Sequence, residues 1–329
     1  MQYLLLAPGH IAYSSATSDP ASKWPARGSG NRLHPECMPQ VRPGFHLEPG
    51  EAVFTIGSCF ARNIEIALHE RGFHVPCMDF KLPESEFWPN RHTSGALNKY
   101  SPFSMLNEIN FALDTPKALE PEQYLLEGAK DQFSDYQMHV RGAVSGERAI
   151  QRRLEVRELY RSGLAQSRVV VITLGMAEAW FDRETGIYLN DAPSPKMTKL
   201  YAERFEFRVV GYNDLFECVR DTIALLRSAR GSDLRVVLTV SPVPLQRTFS
   251  GSDVITANTY SKSVLRAVAG AITAMHDFVD YFPSFEAVIF SEFKSTWKDD
   301  QVHVTLPTVR RVVSNMIEAY AAPSPEKNR

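Results

Sequence analysis

The chain of 329 residues balances 36 lysines and arginines against 38 aspartates and glutamates, and a formal net charge of -2 gives no field to draw in nucleic acid or an anionic membrane. Its 44% hydrophobic and 22% charged content is that of an ordinary globular protein with a sizeable core. No stretch approaches the roughly 18 uninterrupted apolar residues of a membrane span. The start, Met1-Gln2-Tyr3-Leu4-Leu5-Leu6, lacks the basic opening and the length of a secretory signal, so a cytoplasmic location is expected.

Four cysteines, Cys37, Cys59, Cys77 and Cys218, lie far apart, with no C-x-x-C pair and no histidines at ligand spacing. This argues against a disulfide framework and a structural zinc, and no metal or cofactor is expected. Residues 1–50 carry Pro8, Pro20, Pro25, Pro35, Pro39, Pro43 and Pro49 without sustained periodicity and read as an extended N-terminal arm wrapped on the domain. Gly28-Ser29-Gly30 resembles a phosphate loop only superficially, because no strand precedes it and no helix comes after it.

Residues 51–322 read as one α/β domain and 323–329 as a polar, disordered tail. The domain opens with a strand-length apolar run at 52–56, stopped by Gly57, and a helix begins at once through Ile64, Ala67 and Leu68, with Gly72 as its terminal cap. Loop-like sequence at 76–104 leads to a helix from near Ser104. A charged helix is predicted at 147–166, with Ile150, Leu154, Leu159 and Leu164 inward and Arg152, Arg153, Arg157 and Arg161 outward as a solvated face. The unbroken run at 169–174 predicts a buried strand ended by Gly175. Turn-rich sequence at 181–210, alternating from Arg204 to Val209, predicts a β-hairpin insertion.

A helix capped by Asn213, a strand at 235–240, a helix at 257–276, a strand at 279–282 and a last helix at 307–320 complete the pattern. Strands alternating with helices imply a mainly parallel sheet, whose ligands bind beyond the carboxyl ends of the strands. Residues just after each strand are therefore the informative ones.

After the first strand stand Gly57, Ser58 and Cys59, where the chain turns into a helix. A nucleophile there faces free N–H groups and the positive end of the helix dipole, which is expected to lower a thiol pKa and help hold an oxyanion. Near the C-terminus, Asp300 lies three residues before His303, a spacing that lets a carboxylate fix an imidazole as base. Asp299 is the alternative carboxylate. His69, His74, His92 and His276 have no charged partner evident in sequence.

The stretch Phe54-Thr55-Ile56-Gly57-Ser58-Cys59-Phe60-Ala61-Arg62-Asn63 resembles the signature of the GSCFA family, assigned to the SGNH (GDSL-like) hydrolase superfamily. So do Thr173-Leu174-Gly175 with Glu178-Ala179-Trp180, Ser241-Pro242-Val243-Pro244, Asn258 with Tyr260-Ser261-Lys262, Tyr281-Phe282-Pro283-Ser284, and the Asp300 to His303 segment, in order. The resemblance implies a flavodoxin-like three-layer α/β/α sandwich with a nucleophile after the first strand. Aligning Gly57 with the superfamily's Gly-Asp-Ser places Ser58 on the aspartate and Cys59 on the serine. Cys59 is thus the favoured nucleophile and Ser58 its rival.

The superfamily's Gly-x-Asn block has no asparagine here, since Gly175-Met176-Ala177-Glu178 succeeds the strand. Backbone N–H groups of Cys59, Gly175 or Met176, with Asn98, are the expected replacements, and Glu178 and Trp180 are expected to bind substrate or shape the insertion. The implied activity is that of an esterase or O-acyltransferase working through an acyl-enzyme. Its substrate would be a small-molecule or carbohydrate ester, with acyl-coenzyme A as a possible donor. The alternative is a non-catalytic carbohydrate-binding or scaffolding protein on the same fold.

Overall fold

A computed structural model of the chain describes residues 4–28, 31–89 and 92–321. Ser29 and Gly30 of the glycine motif, and the tail at 323–329, lie outside the described residues. The arm is not extended throughout: it opens with helix α1 (Gly9–Ser18), which buries none of its residues. A helix without an apolar face carries no stripe for periodicity to reveal. Farther on, the arm is pinned to the C-terminal half of the domain. The Cys37 N–H donates to Ser291 Oγ (2.8 Å), the Gly44 N–H to Asp280 Oδ2 (2.7 Å) and the Leu47 N–H to the Tyr320 carbonyl (2.8 Å).

Strand β1 (Val53–Gly57) is buried at every position, as a strand covered on both faces must be. One residue later α2 (Cys59–Glu70) begins, burying Phe60, Ala61, Ile64, Ala67 and Leu68. Helix α3 (Pro102–Ala112) opens two residues before the predicted Ser104. The Ser101 hydroxyl accepts the Ser104 N–H (3.2 Å), and proline suits a first turn. A hairpin not anticipated from the sequence, β2 (Leu125–Ala129) with β3 (Gln132–Asp135), leads to α4 (Gly146–Gln166).

The expected orientation of α4 is wrong on one side. Arg152 and Arg153 are fully buried and Leu154 is exposed. Carboxylates on other elements draw the arginines in: Arg153 donates to both oxygens of Glu108 (3.0 and 2.9 Å) and Arg152 to Glu86 (3.3 Å). Paired and hydrogen-bonded, such charges tolerate burial that a lone one would not.

Strand β4 (Val169–Leu174) is followed by an antiparallel sheet of β5 (Glu178–Asp182), β6 (Ile187–Leu189) and β7 (Phe205–Val209), with α5 (Pro195–Leu200) in its longer connection. The predicted hairpin is therefore a three-stranded insertion. Helix α6 (Tyr212–Arg230) has Gly211 as its N-cap, so Asn213 lies inside its first turn and is not its cap. After β8 (Arg235–Val240), α7 (Val254–Met275) opens three residues early, because the Asp253 carboxylate accepts the N–H groups of Ile255 (2.8 Å) and Thr256 (3.3 Å). Strand β9 (Val279–Tyr281), the short helices α8 (Ser284–Ile289) and α9 (Phe293–Thr296), and α10 (Leu306–Tyr320) finish the chain.

The central sheet is parallel in the order β1-β4-β8-β9. Beyond β1, a single parallel bridge from Ala52 to His74 prolongs the sheet by one residue. Helices α2 and α10 pack on each other, and α3, α4, α6 and α7 form a second packed group. Helices around a mainly parallel sheet are consistent with a three-layer α/β fold. No helix among the described residues is long and apolar enough to cross a membrane.

Candidate active site at the carboxyl end of the parallel sheet

Two glycines let three chain segments converge at the ends of β1 and β4. A methyl group on Gly57 would stand 2.7 Å from Thr173 Cβ and 2.9 Å from Ala61 Cβ; one on Gly175 would stand 2.3 Å from the Tyr100 carbonyl oxygen. The third segment, 98–100, crosses both strand ends: the Lys99 N–H donates to the Gly57 carbonyl (2.9 Å), and the Tyr100 carbonyl accepts the Met176 N–H (2.9 Å). Met176, expected as an oxyanion donor, has thus already committed its N–H.

Ser58 is the residue before α2, but its hydroxyl makes no capping bond to the helix and acts instead on the Cys59 sulfur. Ser58 is buried, whereas Cys59 is partly exposed at the first position of the helix. Cys37, Cys77 and Cys218 are all buried. The expected fall in the Cys59 pKa is not what results. Burial pushes the thiol up and outweighs the groups that favour the thiolate, which are the Ser58 hydroxyl, Lys262 and the N–H groups of Phe60 and Cys59.

Asp300 and His303 form a ready-made pair in the loop between α9 and α10. Asp300 Oδ2 meets His303 Nδ1 at 2.7 Å, and Oδ1 accepts the N–H groups of His303 (2.9 Å) and Val302 (3.0 Å). The His303 N–H, then its ring and the Val302 N–H, hold the Asp300 carboxyl well below the usual carboxylate range. Both side chains are exposed. Among the described residues, no hydrogen bond joins the His303 ring to Cys59 or Ser58; its side-chain bond goes to Asp300.

Asn98 is buried, and its Oδ1 has no partner while Nδ2 lies 3.4 Å from the Tyr100 hydroxyl. The unmatched atom is thus an acceptor, and Asn98 offers a free donor only with its amide turned over. Glu178 is occupied, since Thr248 Oγ1 donates to it at 2.6 Å, and Trp180 packs edge-on against Phe207 and Phe249. Both tie the 245–252 loop to the antiparallel insertion.

Other residues of the sequence motifs also brace loops at this edge. Asn258 Oδ1 accepts the Leu245 N–H (3.1 Å), Tyr260 donates to the Val210 carbonyl (3.1 Å), and Ser284 donates to the Val240 carbonyl (3.1 Å). Arg62, one turn into α2, pairs with Glu65 (2.7 Å) and donates to the Ser94 carbonyl (3.2 Å), fixing the turn that precedes Asn98.

A pair that no sequence pattern disclosed is His139 with Asp191 (3.0 Å). The His139 ring stacks on Trp88 at 4.6 Å between centroids and meets Tyr100 edge-on at 5.7 Å. Its partner is 52 residues away, so no local spacing signals it. Among the described residues no group of three or more His, Cys, Asp or Glu side chains is arranged to hold a metal ion.

Cys59 thus opens the helix after β1 at the carboxyl end of a mainly parallel sheet, and the Asp300–His303 pair lies in the loop before the last helix. The GSCFA family model matches residues 52–316, and the chain belongs to the GSCFA family. No curated protein matches it.

Proposed function

We propose that this GSCFA protein is an SGNH-type esterase or O-acyltransferase that forms an acyl-enzyme on Cys59. The observation that carries this reading is the setting of that one sulfur. Alone among the four cysteines it is partly exposed, and a hydroxyl, two backbone N–H groups and a lysine all act on it in the sense of the thiolate.

In the reaction, His303 Nε2 takes the Cys59 proton and the sulfur attacks the carbonyl carbon of an ester or a coenzyme A thioester. The carbonyl π bond breaks to give an oxyanion, which the Cys59 N–H and the Asn98 amide serve as donors. Collapse expels the alcohol or thiol, which leaves with the proton from His303. Water or a carbohydrate hydroxyl then gives its proton to His303 and attacks the thioester, and the sulfur departs as thiolate. Asp300 orients the ring throughout. The contact from His303 to Cys59 forms in the reacting complex, as catalytic hydrogen bonds commonly tighten only there.

Intact-mass spectrometry after incubation with p-nitrophenyl acetate tests the reading. A single acyl adduct is expected on the native protein, absent in Cys59→Ala, retained in Ser58→Ala and slower to form in His303→Ala. Loss in Ser58→Ala with retention in Cys59→Ala moves the nucleophile to the serine. No adduct and no turnover with ester or thioester donors would leave a non-catalytic binding protein on this fold.

A further inference from the structure

Five lysines and arginines are buried among the described residues, namely Arg62, Lys99, Arg152, Arg153 and Lys262. Four of them have a carboxylate: Arg62 has Glu65, Arg152 has Glu86, and Lys99 and Arg153 share Glu108. Among the described residues, Lys262 forms no ion pair with a carboxylate. Its Nζ donates to the Gly175 carbonyl at 2.7 Å, while the neighbouring Ser261 Oγ accepts the Ala177 N–H at 2.7 Å. Two adjacent residues of α7 thereby clasp the turn after β4.

That turn borders the start of α2. Gly57 pairs with Thr173 in register, two residues before Gly175, and the nucleophile lies two residues after Gly57. Cys59 and Lys262 act on each other electrostatically, and among the described residues Cys59 is the one titratable group acting on Lys262. Arg62, the other cation near the start of α2, is spent on Glu65.

A buried cation without a counter-charge is costly, and it becomes less so when an anion appears beside it. The geometry points to Lys262 as the ionic partner of the Cys59 thiolate: anchored on the Gly175 carbonyl, its ammonium balances the charge that the sulfur acquires on losing its proton. Burial brings Lys262 down to about 7, and the thiolate works against that fall. The coupling is reciprocal, so the ammonium favours the thiolate by as much as the thiolate favours the ammonium. Ser58 and the helix N–H groups act on the same sulfur without carrying charge. This assignment rests on the proposed role of Cys59 and adds to it the group that stabilises the nucleophile.

The test is the pH dependence of Cys59 carboxamidomethylation by iodoacetamide in the folded protein, with the labelled site mapped by mass spectrometry. Alkylation tracks the thiolate and needs no acyl donor, so it reads the pairing separately from the reaction. In Lys262→Met the midpoint is expected to rise by about one unit, slowing alkylation about tenfold on the acid side of the profile. Lys262→Gln keeps a donor for Gly175 but not the charge. It carries the same expectation and replaces the methionine variant should that fail to fold. Lys262→Arg restores the native midpoint.

A midpoint unchanged in both neutral variants overturns the pairing and leaves Lys262 a structural clasp. A shift in Lys262→Gln that Lys262→Arg does not reverse also overturns it, because the charge would not be the cause. A protein that forms no acyl adduct yet shows the Lys262-dependent midpoint sinks the acyl-transfer reading and leaves the ion pair standing.

Discussion

Lys99 joins the candidate site to the most heavily charged part of the interior: its N–H donates to the Gly57 carbonyl at 2.9 Å, and its ammonium donates to Glu108 Oε2 at 2.5 Å. The same ammonium donates to the Gln137 carbonyl. Glu108 in turn takes two bonds from Arg153, whose guanidinium lies 4.5 Å from the Phe111 ring centroid and 4.6 Å from that of Tyr124. The segment 98–100 is therefore held from below by ionic bonds and from above by the strand ends, which places Asn98 and Tyr100 on a rigid support.

Replacing Glu108 tests that support. Lys99, Glu108 and Arg153 are fully buried, so Glu108→Gln takes the carboxylate from Lys99, leaves Arg153 only Asp135 at 3.6 Å, and should cost about 3–5 kcal/mol in urea unfolding. The acid response comes from the same pairing. Burial raises the Glu108 carboxyl, but Arg153 and Lys99 outweigh it and bring it down to about 2. A carboxyl lowered by folding contributes stability above its unfolded pKa of about 4.3, a contribution lost as pH falls toward about 2. Between those values native stability should decline with a slope that Glu108→Gln reduces. Equal slopes in the two proteins would show that another group governs acid unfolding.

Gly175→Ala addresses the convergence of segments directly. The added methyl would sit 2.3 Å from the Tyr100 carbonyl oxygen, a backbone atom that cannot swing aside as a side-chain tip can. Either the 98–100 segment or the turn carrying the Lys262 anchor must shift, at a cost of about 1–3 kcal/mol for overpacking. Urea unfolding should show this loss, and Cys59 alkylation should change with it. Gly9→Ala, where the methyl meets nothing within 4 Å, is the matched control and should leave both measurements unchanged.

Strands β1, β4 and β8 were legible because each is a nearly continuous apolar run, as burial on both faces requires, whereas the hairpin of β2 and β3 has no such run and was missed. The Asp300–His303 pair was legible because it is local, three residues apart. What was hidden depends on partners distant in sequence. Arg152 and Arg153 look like a solvated face until Glu86 and Glu108 arrive from 66 and 45 residues away. Lys262 carried one clue, a lysine on a helix whose neighbours Val264, Leu265 and Val268 are apolar, but its lack of a carboxylate is visible only in three dimensions. The Cys59 pKa went the other way from the helix-dipole expectation because the dipole acts on any helix start, whereas burial depends on what the loops cover.

The Asp300–His303 pair can be tested without disturbing the fold. Both side chains are exposed, and the loop has its own braces: the Lys298 N–H donates to the His303 carbonyl (2.9 Å) and the Thr305 N–H to the Thr296 carbonyl (2.9 Å). Asp300→Ala should therefore leave the melting temperature close to native. It frees the imidazole to rotate and removes the acceptor that keeps the proton on Nδ1, so acyl-adduct formation should slow by about a hundredfold or more. Asp299→Ala should have no such effect, since His303 is bonded to Asp300. The carboxyl lies well below the usual carboxylate range, so Asp300 stays ionised through mildly acidic solution, and the native rate should show no loss attributable to it there. If Asp300→Ala forms the adduct at the native rate, His303 does not depend on this carboxylate for its orientation. His303 would still stand as the base for Cys59 in that case, and only an unchanged rate in His303→Ala as well would remove it from that role.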